Sequence, residues 1–528
     1  MRTLVSIALT AGALAGCAAL PPGANYPKRD SVAFAHPETT RAGQQFALAA
    51  REHRGDSAFR ILSIGADGFA VRMQMIAAAE ASLDLQYFIF HGDSTGRLLS
   101  NALLAAADRG VHIRLLIDDG DTLAGDEQIA VLAVHPDVEI RIFNPFVYRG
   151  HRAALRSLEF MLRAARVDYR MHNKLLVADN ATALIGGRNI GDAYFQIDAE
   201  AQYADDDVFT AGPIVKKLST TFDEYWNSAL AIPVEALAGG MPSTAAFETN
   251  RQSLDQQWLH AHDQAASYLQ RALAGEPLAG MLSGQLPLVW SSAQVVCDSP
   301  NKQQVANGVM VGRLMYEPVA AAANAVQTEF LMITPYFVPT TEELKLLQAM
   351  RQRHVRVRIL TNSLESTNAL AAHSGYQRFR KQLLLDGVEL YEVRALLGKA
   401  SRGSGQTAAM SRHGNYGLHA KLFVFDQRQV FAGSMNFDQR SQRYNTEIGL
   451  IIDSPELAQQ TATRFAAMTQ PASAYQVVLE VDSTGKSRLH WRTQESGQPV
   501  EYAREPSTSR WRRFMVRFLS LLPLDREL

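Results

Sequence analysis

Two similar α/β domains, each a sheet flanked by helices, are predicted for this chain by three observations. Its 528 residues are far more than one hydrophobic core requires. Strand-like and helix-like stretches alternate along it. The same order of elements then occurs a second time, which marks an internal duplication.

The first copy opens on an apolar strand, "SLDLQYFIF" (82–90), followed by the helical stretch "TGRLLSNALLAAADRG" and a second strand, "VHIRLLIDD" (111–119). The second copy has "EFLMITPYFVP" (329–339), the helical "TEELKLLQAMRQR" and "VRVRILTNS" (355–363). Thr340 and Glu343 have capping-box spacing at that helix start, and Leu344, Leu347 and Met350 fall near one helical face. A further strand follows in each, "VEIRIFNP" (138–145) and "VELYEV" (388–393). Tyr87 and Tyr336, Val111 and Val355, and His172 and His419 correspond at offsets of 249, 244 and 247 positions. Strands alternating with helices predict a sheet that is largely parallel.

These landmarks divide the chain. Residues 23–232 form the first domain and 289–470 the second, with their key motifs at 166–193 and 413–440. A Gln- and Ala-rich segment, 233–288, broken by Pro233, Gly239, Gly240 and Pro242, reads as a helical connector. Residues 471–528 form a C-terminal extension. A Gly/Ser-rich run, 398–417, precedes the second motif and reads as a loop, either a lid or a solvated surface segment.

Composition narrows the classes. Hydrophobic content is 47% and charged content 20%, as in ordinary globular proteins. Fifty-two basic residues balance 53 acidic ones, for a net charge of −1, which argues against a dedicated nucleic-acid binder. Cys297 is the only cysteine in the body and reads as an inert thiol. Residues 1–16 have a positive start at Arg2, an apolar run and small residues leading to Cys17, the pattern of a secretory signal. No later stretch has the roughly 18 apolar residues of a transmembrane helix.

The chemistry is concentrated in "HNKLLVADNATALIGGRN" (172–189) and "HAKLFVFDQRQVFAGSMN" (419–436). Each has a histidine, a lysine two places on, an aspartate five further, then glycine and asparagine in register. In a strand, His172 and Lys174 share a face, as do His419 and Lys421. Asp179 and Asp426 fall on the opposite parity and are expected to brace the hairpin. Asp205 in "DDDVFTAGP" aligns with Glu447 in "EIGLIIDSP". By these matched positions they are assigned to orient a histidine, since a carboxylate on one ring nitrogen leaves the other reactive. Lysines present positive charge to phosphate oxygens. One histidine of two can attack phosphorus while the other protonates the leaving oxygen. Two His-Lys pairs therefore suit a two-step displacement through a phosphohistidine.

The doubled pattern resembles the phospholipase D superfamily, and nearly all of the chain after the signal takes part. "DLQYFIF", "GGRNIGDAYF", "NSLESTN" and "NTEIGLIIDSP" are similar to the bacterial cardiolipin synthase C-type branch. The resemblance implies two α/β domains packed around one shared active site, with no metal and no cofactor. The catalytic set it carries over is His172, Lys174, Asp179, His419, Lys421 and Asp426. His172 takes the nucleophile's place and His419 that of the acid/base, although the copies are too alike for sequence to order these roles. Lys174, Asn189, Lys421, Ser434 and Asn436 carry over as phosphate-binding residues. Gly187 stands where the second copy has Ser434, which changes one hydroxyl contact. The implied activity is phosphatidyl transfer between phospholipids, phosphatidylglycerol and also phosphatidylethanolamine, at a membrane surface. The alternatives are hydrolysis to phosphatidic acid and, from nuclease relatives, phosphodiester cleavage of nucleic acid, for which no partner is expected here.

"LAGC" (14–17) resembles a lipobox, implying lipidation of Cys17 and a periplasm-facing envelope position, with Ala18 favouring the outer membrane. Three weaker signals remain. The aspartates of "IDDGD" (117–121) read as a strand-end loop rather than a metal site. His373 and Tyr376 either reach substrate or stand on a helix surface. The segment 509–523 mixes arginine with aromatic residues at helical spacing, either to lie on anionic lipid or to pack its apolar face on the second domain. There is no P-loop, and "GGRNIG" lacks the strand-to-helix setting of a dinucleotide fingerprint.

Overall fold

The computed structural model of the chain describes residues 21–521 except 54, 121–128, 130, 131, 149–152, 198–200, most of 238–275, 396–414, 482–484, 507 and 508. Cys17 and its signal, most of the connector and most of the Gly/Ser-rich run lie outside the described residues.

Two mixed sheets form the framework, one per copy. The first runs in space Val289–Ser291, Ser57–Leu62, Asp207–Ala211, Thr182–Gly186, Leu175–Ala178, Ser82–Tyr87, His112–Asp118, Val138–Phe143 and Ala231–Pro233. The second begins Ala293–Cys297, Ile448–Ile452, Gln429–Gly433, Leu422–Phe425, Glu329–Ile333, Arg356–Asn362 and Glu389–Val393. From the second strand of the first sheet onward, the two orders are the same, so the sequence repeat is a structural repeat.

The expected parallel character is corrected. Only Ser82–Tyr87, His112–Asp118 and Val138–Phe143, with their second-copy counterparts, pair in parallel. The other neighbours in both sheets are antiparallel. Parallel pairing needs a long crossover. The helices Ser94–Ala107 and Thr341–Gln352 supply crossovers between the first parallel strands of each copy. The His-Lys motif instead folds back as a tight hairpin. The capping box forms as expected: Glu343 N donates to Thr340 Oγ1 at 3.2 Å and Thr340 N donates to Glu343 Oε2 at 2.7 Å. Leu347 and Met350 are buried behind it.

Two boundaries shift. Val289–Ser291 pairs with the first sheet, so the second domain starts at Ala293. The C-terminal extension adds Ala474–Val481, Ser487–Glu495 and Gln498–Tyr502 to the free edge of the second sheet. The sheets face each other across one apolar core. Leu175, Val177 and Ile185 of the first pack with Leu422, Val424 and Leu450 of the second. The two copies are therefore one body, and the motif hairpins lie at its centre.

Each hairpin turns through two residues in the left-handed region, Asp179 and Asn180 in one copy and Asp426 and Gln427 in the other. Aspartate and asparagine tolerate that conformation better than most side chains. Asp179 accepts backbone N–H bonds from Glu80, Ala81 and Ser82 at 3.0, 2.7 and 2.9 Å. Asp426 does the same for Gln327, Thr328 and Glu329 at 2.8, 2.7 and 3.1 Å. The aspartates therefore hold the hairpin to the start of the neighbouring strand, as the parity argument expects. Asp179→Ala strands three donors, so it is expected to cost about 3 kcal/mol of stability. Chemical denaturation measures that loss, and the kcat of the folded enzyme should stay within about twofold.

Candidate active site

Each histidine is fixed by the opposite copy. His172 N donates to Thr446 O at 2.9 Å, and His419 N donates to Ala204 O at 2.8 Å. Those carbonyls directly precede Glu447 and Asp205. The bridge from Met171 to Thr446 and the pairing of Asn415–Leu418 with Ala201–Ala204 run the two motifs alongside these segments. The side chains follow the same exchange. His172 Nδ1 donates to Glu447 Oε2 at 2.9 Å, and His419 Nδ1 donates to Asp205 Oδ2 at 2.6 Å. The carboxylates take the Nδ1 protons and leave Nε2 of both rings as the nucleophilic or basic atom. Both histidines, both lysines and both carboxylates are buried.

The lysines fold back on their motifs. Lys174 Nζ donates to His172 O, and Lys421 Nζ donates to His419 O. Lys421 Nζ also lies 2.9 Å from His419 Nδ1. Burial and this positive charge keep both histidines neutral. His419 is pushed down to about 3 by burial and Lys421, and His172 is held well below its ordinary value by burial, Lys174 and Lys421. Burial also lowers Lys174 strongly and brings Lys421 to about 8. Two crowded lysines beside neutral imidazoles make a site that gains most from an anion.

The carboxylates differ. Burial raises Glu447 to about 7. Burial pushes Asp205 upward too, but His419, Lys421 and Arg188 outweigh it and hold it below the usual range. Ser434 accounts for part of the difference in surroundings. Its hydroxyl donates to Glu447 and accepts from Ile448 N at 3.0 Å. In the other copy, a Cβ on Gly187 would stand 2.1 Å from Asp205 Oδ1. Only glycine leaves that carboxylate its place.

The asparagines also diverge. Asn189 accepts from Ile89 N at 3.2 Å and donates to Tyr194 Oη at 3.0 Å, so it braces the site rather than offering its amide to phosphate. Asn436 Oδ1 is buried without a partner among the described residues. Sequence reasoning missed the aromatic walls. Phe88 meets the His172 ring edge-on at 5.1 Å, and Tyr194 and Tyr203 lie 5.1 and 5.5 Å from His419. Phe88 and Tyr194 stand in the conspicuous stretches 82–90 and 186–195, but their hydrophobic setting reads as core.

Two of the three weaker signals have structural partners. Asp118 accepts from Met171 N at 2.7 Å and pairs with Arg170, anchoring the approach to His172. Asp119 accepts from Phe146 N at 2.6 Å. His373 pairs with Glu505 of the C-terminal segment at 2.6 Å, and Tyr376 donates to Glu392 of the strand Glu389–Val393 at 3.1 Å. Cys297 is a buried free thiol that burial pushes up, as expected of an inert one.

Comparison with known proteins agrees with this geometry. A family model described as "Cardiolipin synthase, PLD-like domain" matches residues 73–226 and again 319–469. The chain is 35% identical over 476 residues to cardiolipin synthase C of Escherichia coli K12, covering 90% of this chain and 97% of that one. It is 23% identical over 390 residues to a cardiolipin synthase of Alkalihalophilus pseudofirmus, covering 74% and 61% of the two chains. Among solved structures, a phosphatidylserine synthase of Haemophilus influenzae Rd KW20 shares the fold, with a TM-score of 0.51 at 13% identity over 81% of this chain and 91% of that one.

Proposed function

The chain belongs to the cardiolipin synthase family of phospholipase D-like proteins, and from that premise we propose that it transfers a phosphatidyl group from one phospholipid to the hydroxyl of another, with phosphatidylglycerol as donor and acceptor and cardiolipin as product. The family makes it a phosphatidyltransferase of the phospholipase D superfamily. The observation that carries the reading is the pair of buried histidines, each bonded through Nδ1 to the other copy's carboxylate, beside two buried lysines.

His172 Nε2 attacks phosphorus, the P–N bond forms and the bond to the head-group oxygen breaks. His419 gives that oxygen its proton, and glycerol leaves. The hydroxyl of the second lipid then gives its proton to His419 and attacks phosphorus, and the P–N bond breaks to free His172. The difference between the carboxylates supports this order. Asp205, held ionised, suits a histidine that must carry a proton. Glu447, raised to about 7, gives less support to an imidazolium and keeps His172 a neutral nucleophile. His419 acquires its proton when the anionic phosphodiester enters and raises its pKa. Lys174, Lys421 and Asn436 hold the phosphoryl oxygens.

The pattern around Cys17 supports lipid anchoring in the envelope, facing the periplasm and more consistent with the outer than the inner membrane, and among the described residues no helix is long and apolar enough to cross a membrane. Incubation with vesicles of phosphatidylglycerol and phosphatidylethanolamine, with products resolved by mass, tests the function. Cardiolipin is the expected product. Phosphatidic acid alone would replace transfer by hydrolysis, and neither product would overturn the lipid reading.

A further inference from the structure

Two helices on this surface are built inside out. A surface helix of a globular protein normally buries its apolar stripe and turns charge to water. The Ala153–Val167 helix buries Arg156 and Glu159. Glu159 accepts from Val147 N and Tyr148 N, both at 2.8 Å, and Arg156 is ion-paired with Asp119. Its outward stripe is apolar, with Met161 71% and Leu162 75% exposed and Leu155 and Leu158 beside them.

The C-terminal helix, Arg510–Leu519, repeats the arrangement in the other half. Arg512 turns inward and donates to Leu364 O at 3.0 Å and to Thr367 O, and Val516 is buried on the same side. Trp511 and Phe514 are 65% and 57% exposed. They stack at 5.6 Å, and Phe518 continues the row at 6.5 Å from Phe514. Arg510 and Arg517 are exposed along the same stripe.

Both helices stand at the strand ends that hold the site. The first begins past Val138–Phe143 and ends five residues before His172. Asn144, at that strand end, donates to Arg166 O and Tyr169 O at 2.8 Å each. The second rests on the loop after Arg356–Asn362. In that loop Asn368 donates to Tyr203 Oη at 3.0 Å, and the Tyr203 ring lies 5.5 Å from His419.

We propose that these two helices form a bilayer-docking face, one from each copy beside the elements that hold the site, that inserts its exposed apolar side chains at an anionic lipid surface. The inference rests on the phospholipid reading, since such a substrate must be taken from a bilayer. The occupant is a membrane rather than a protein because aromatic side chains alternate with exposed arginines on one stripe. That combination fits acyl chains below and lipid phosphates around.

The full chain on phosphatidylglycerol/phosphatidylethanolamine vesicles with brominated acyl chains provides the test. The emission due to Trp511, obtained by difference from Trp511→Phe, is expected to be quenched about twofold or more. Unchanged emission would overturn the proposal, including the case in which a protein covers this face. A second arm compares Leu158→Ser/Met161→Ser/Leu162→Ser and Trp511→Ser/Phe514→Ser/Phe518→Ser with the parent. Turnover of vesicle phosphatidylglycerol should fall about tenfold, while turnover of short-chain phosphatidylglycerol dissolved as monomers stays within about twofold. Equal loss on both substrates, or loss on neither, would overturn the docking face. If the parent turns over neither form, the functional reading fails, and Trp511 quenching still decides the face.

Discussion

His172→Ala is expected to abolish phosphatidyl transfer, with kcat falling by about 10⁴-fold or more, the scale on which removing a covalent nucleophile acts. The folded state should tolerate the change. His172 contributes a backbone bond to Thr446 that alanine retains, and its ring bonds Glu447, which at about 7 can carry its own proton. His419→Asn should be equally slow in steady state but for another reason. Without an acid, a poor leaving group is not expelled. With a p-nitrophenyl ester of phosphatidic acid the first step needs no proton, and a phosphatidyl adduct on His172 is expected to accumulate and be found by peptide mass. The adduct on His419 in His172→Ala, with an intact first step, would reverse the roles.

Much of this site was legible because the chain carries it twice. A lone His-x-Lys is common, but the repetition with Gly and Asn in register isolates His172, Lys174, His419 and Lys421 without any coordinates. The same register finds Asp205 and Glu447. It does not reveal that each serves the other copy, because an internal alignment compares halves and contains nothing about how they pack. The exchange follows from the two strands that cross between copies, Asn415–Leu418 on Ala201–Ala204 and the bridge at Met171. The bond from Ser434 to Glu447 is hidden for a related reason: a hydroxyl next to a glycine suits a phosphate as well as a neighbouring carboxylate. The strands after Ala474 escaped notice because an edge carries a mixed pattern, buried at Ala474 and Tyr475 and exposed at Gln476 and Val481. The C-terminal helix was visible as amphipathic. Its direction was not, since the carbonyls of Leu364 and Thr367 that accept from Arg512 belong to a loop more than 140 positions away.

Glu447→Gln and Asp205→Asn are each expected to lower kcat by about 10³- to 10⁴-fold while preserving the fold, as when a histidine loses the carboxylate that sets its tautomer. Their kinetic signatures should differ, and crosswise. Glu447 lies in the second copy with His419, yet it bonds His172. Glu447→Gln should therefore slow formation of the phosphohistidine and leave no accumulated adduct, even with the activated p-nitrophenyl ester. Asp205 lies in the first copy with His172, yet it bonds His419. Asp205→Asn should form the adduct quickly from that ester and resolve it slowly, reproducing His419→Asn. If each carboxylate served the histidine of its own copy, the two signatures would be interchanged. A third variant reaches the same pair sterically. Gly187→Ala places a Cβ where Asp205 Oδ1 stands 2.1 Å away, so the carboxylate must move off His419 although no functional group is removed. That variant should share the slow-resolving signature of Asp205→Asn. Gly187→Ala with rapid resolution would show that the His419–Asp205 bond is not what makes His419 an acid and a base.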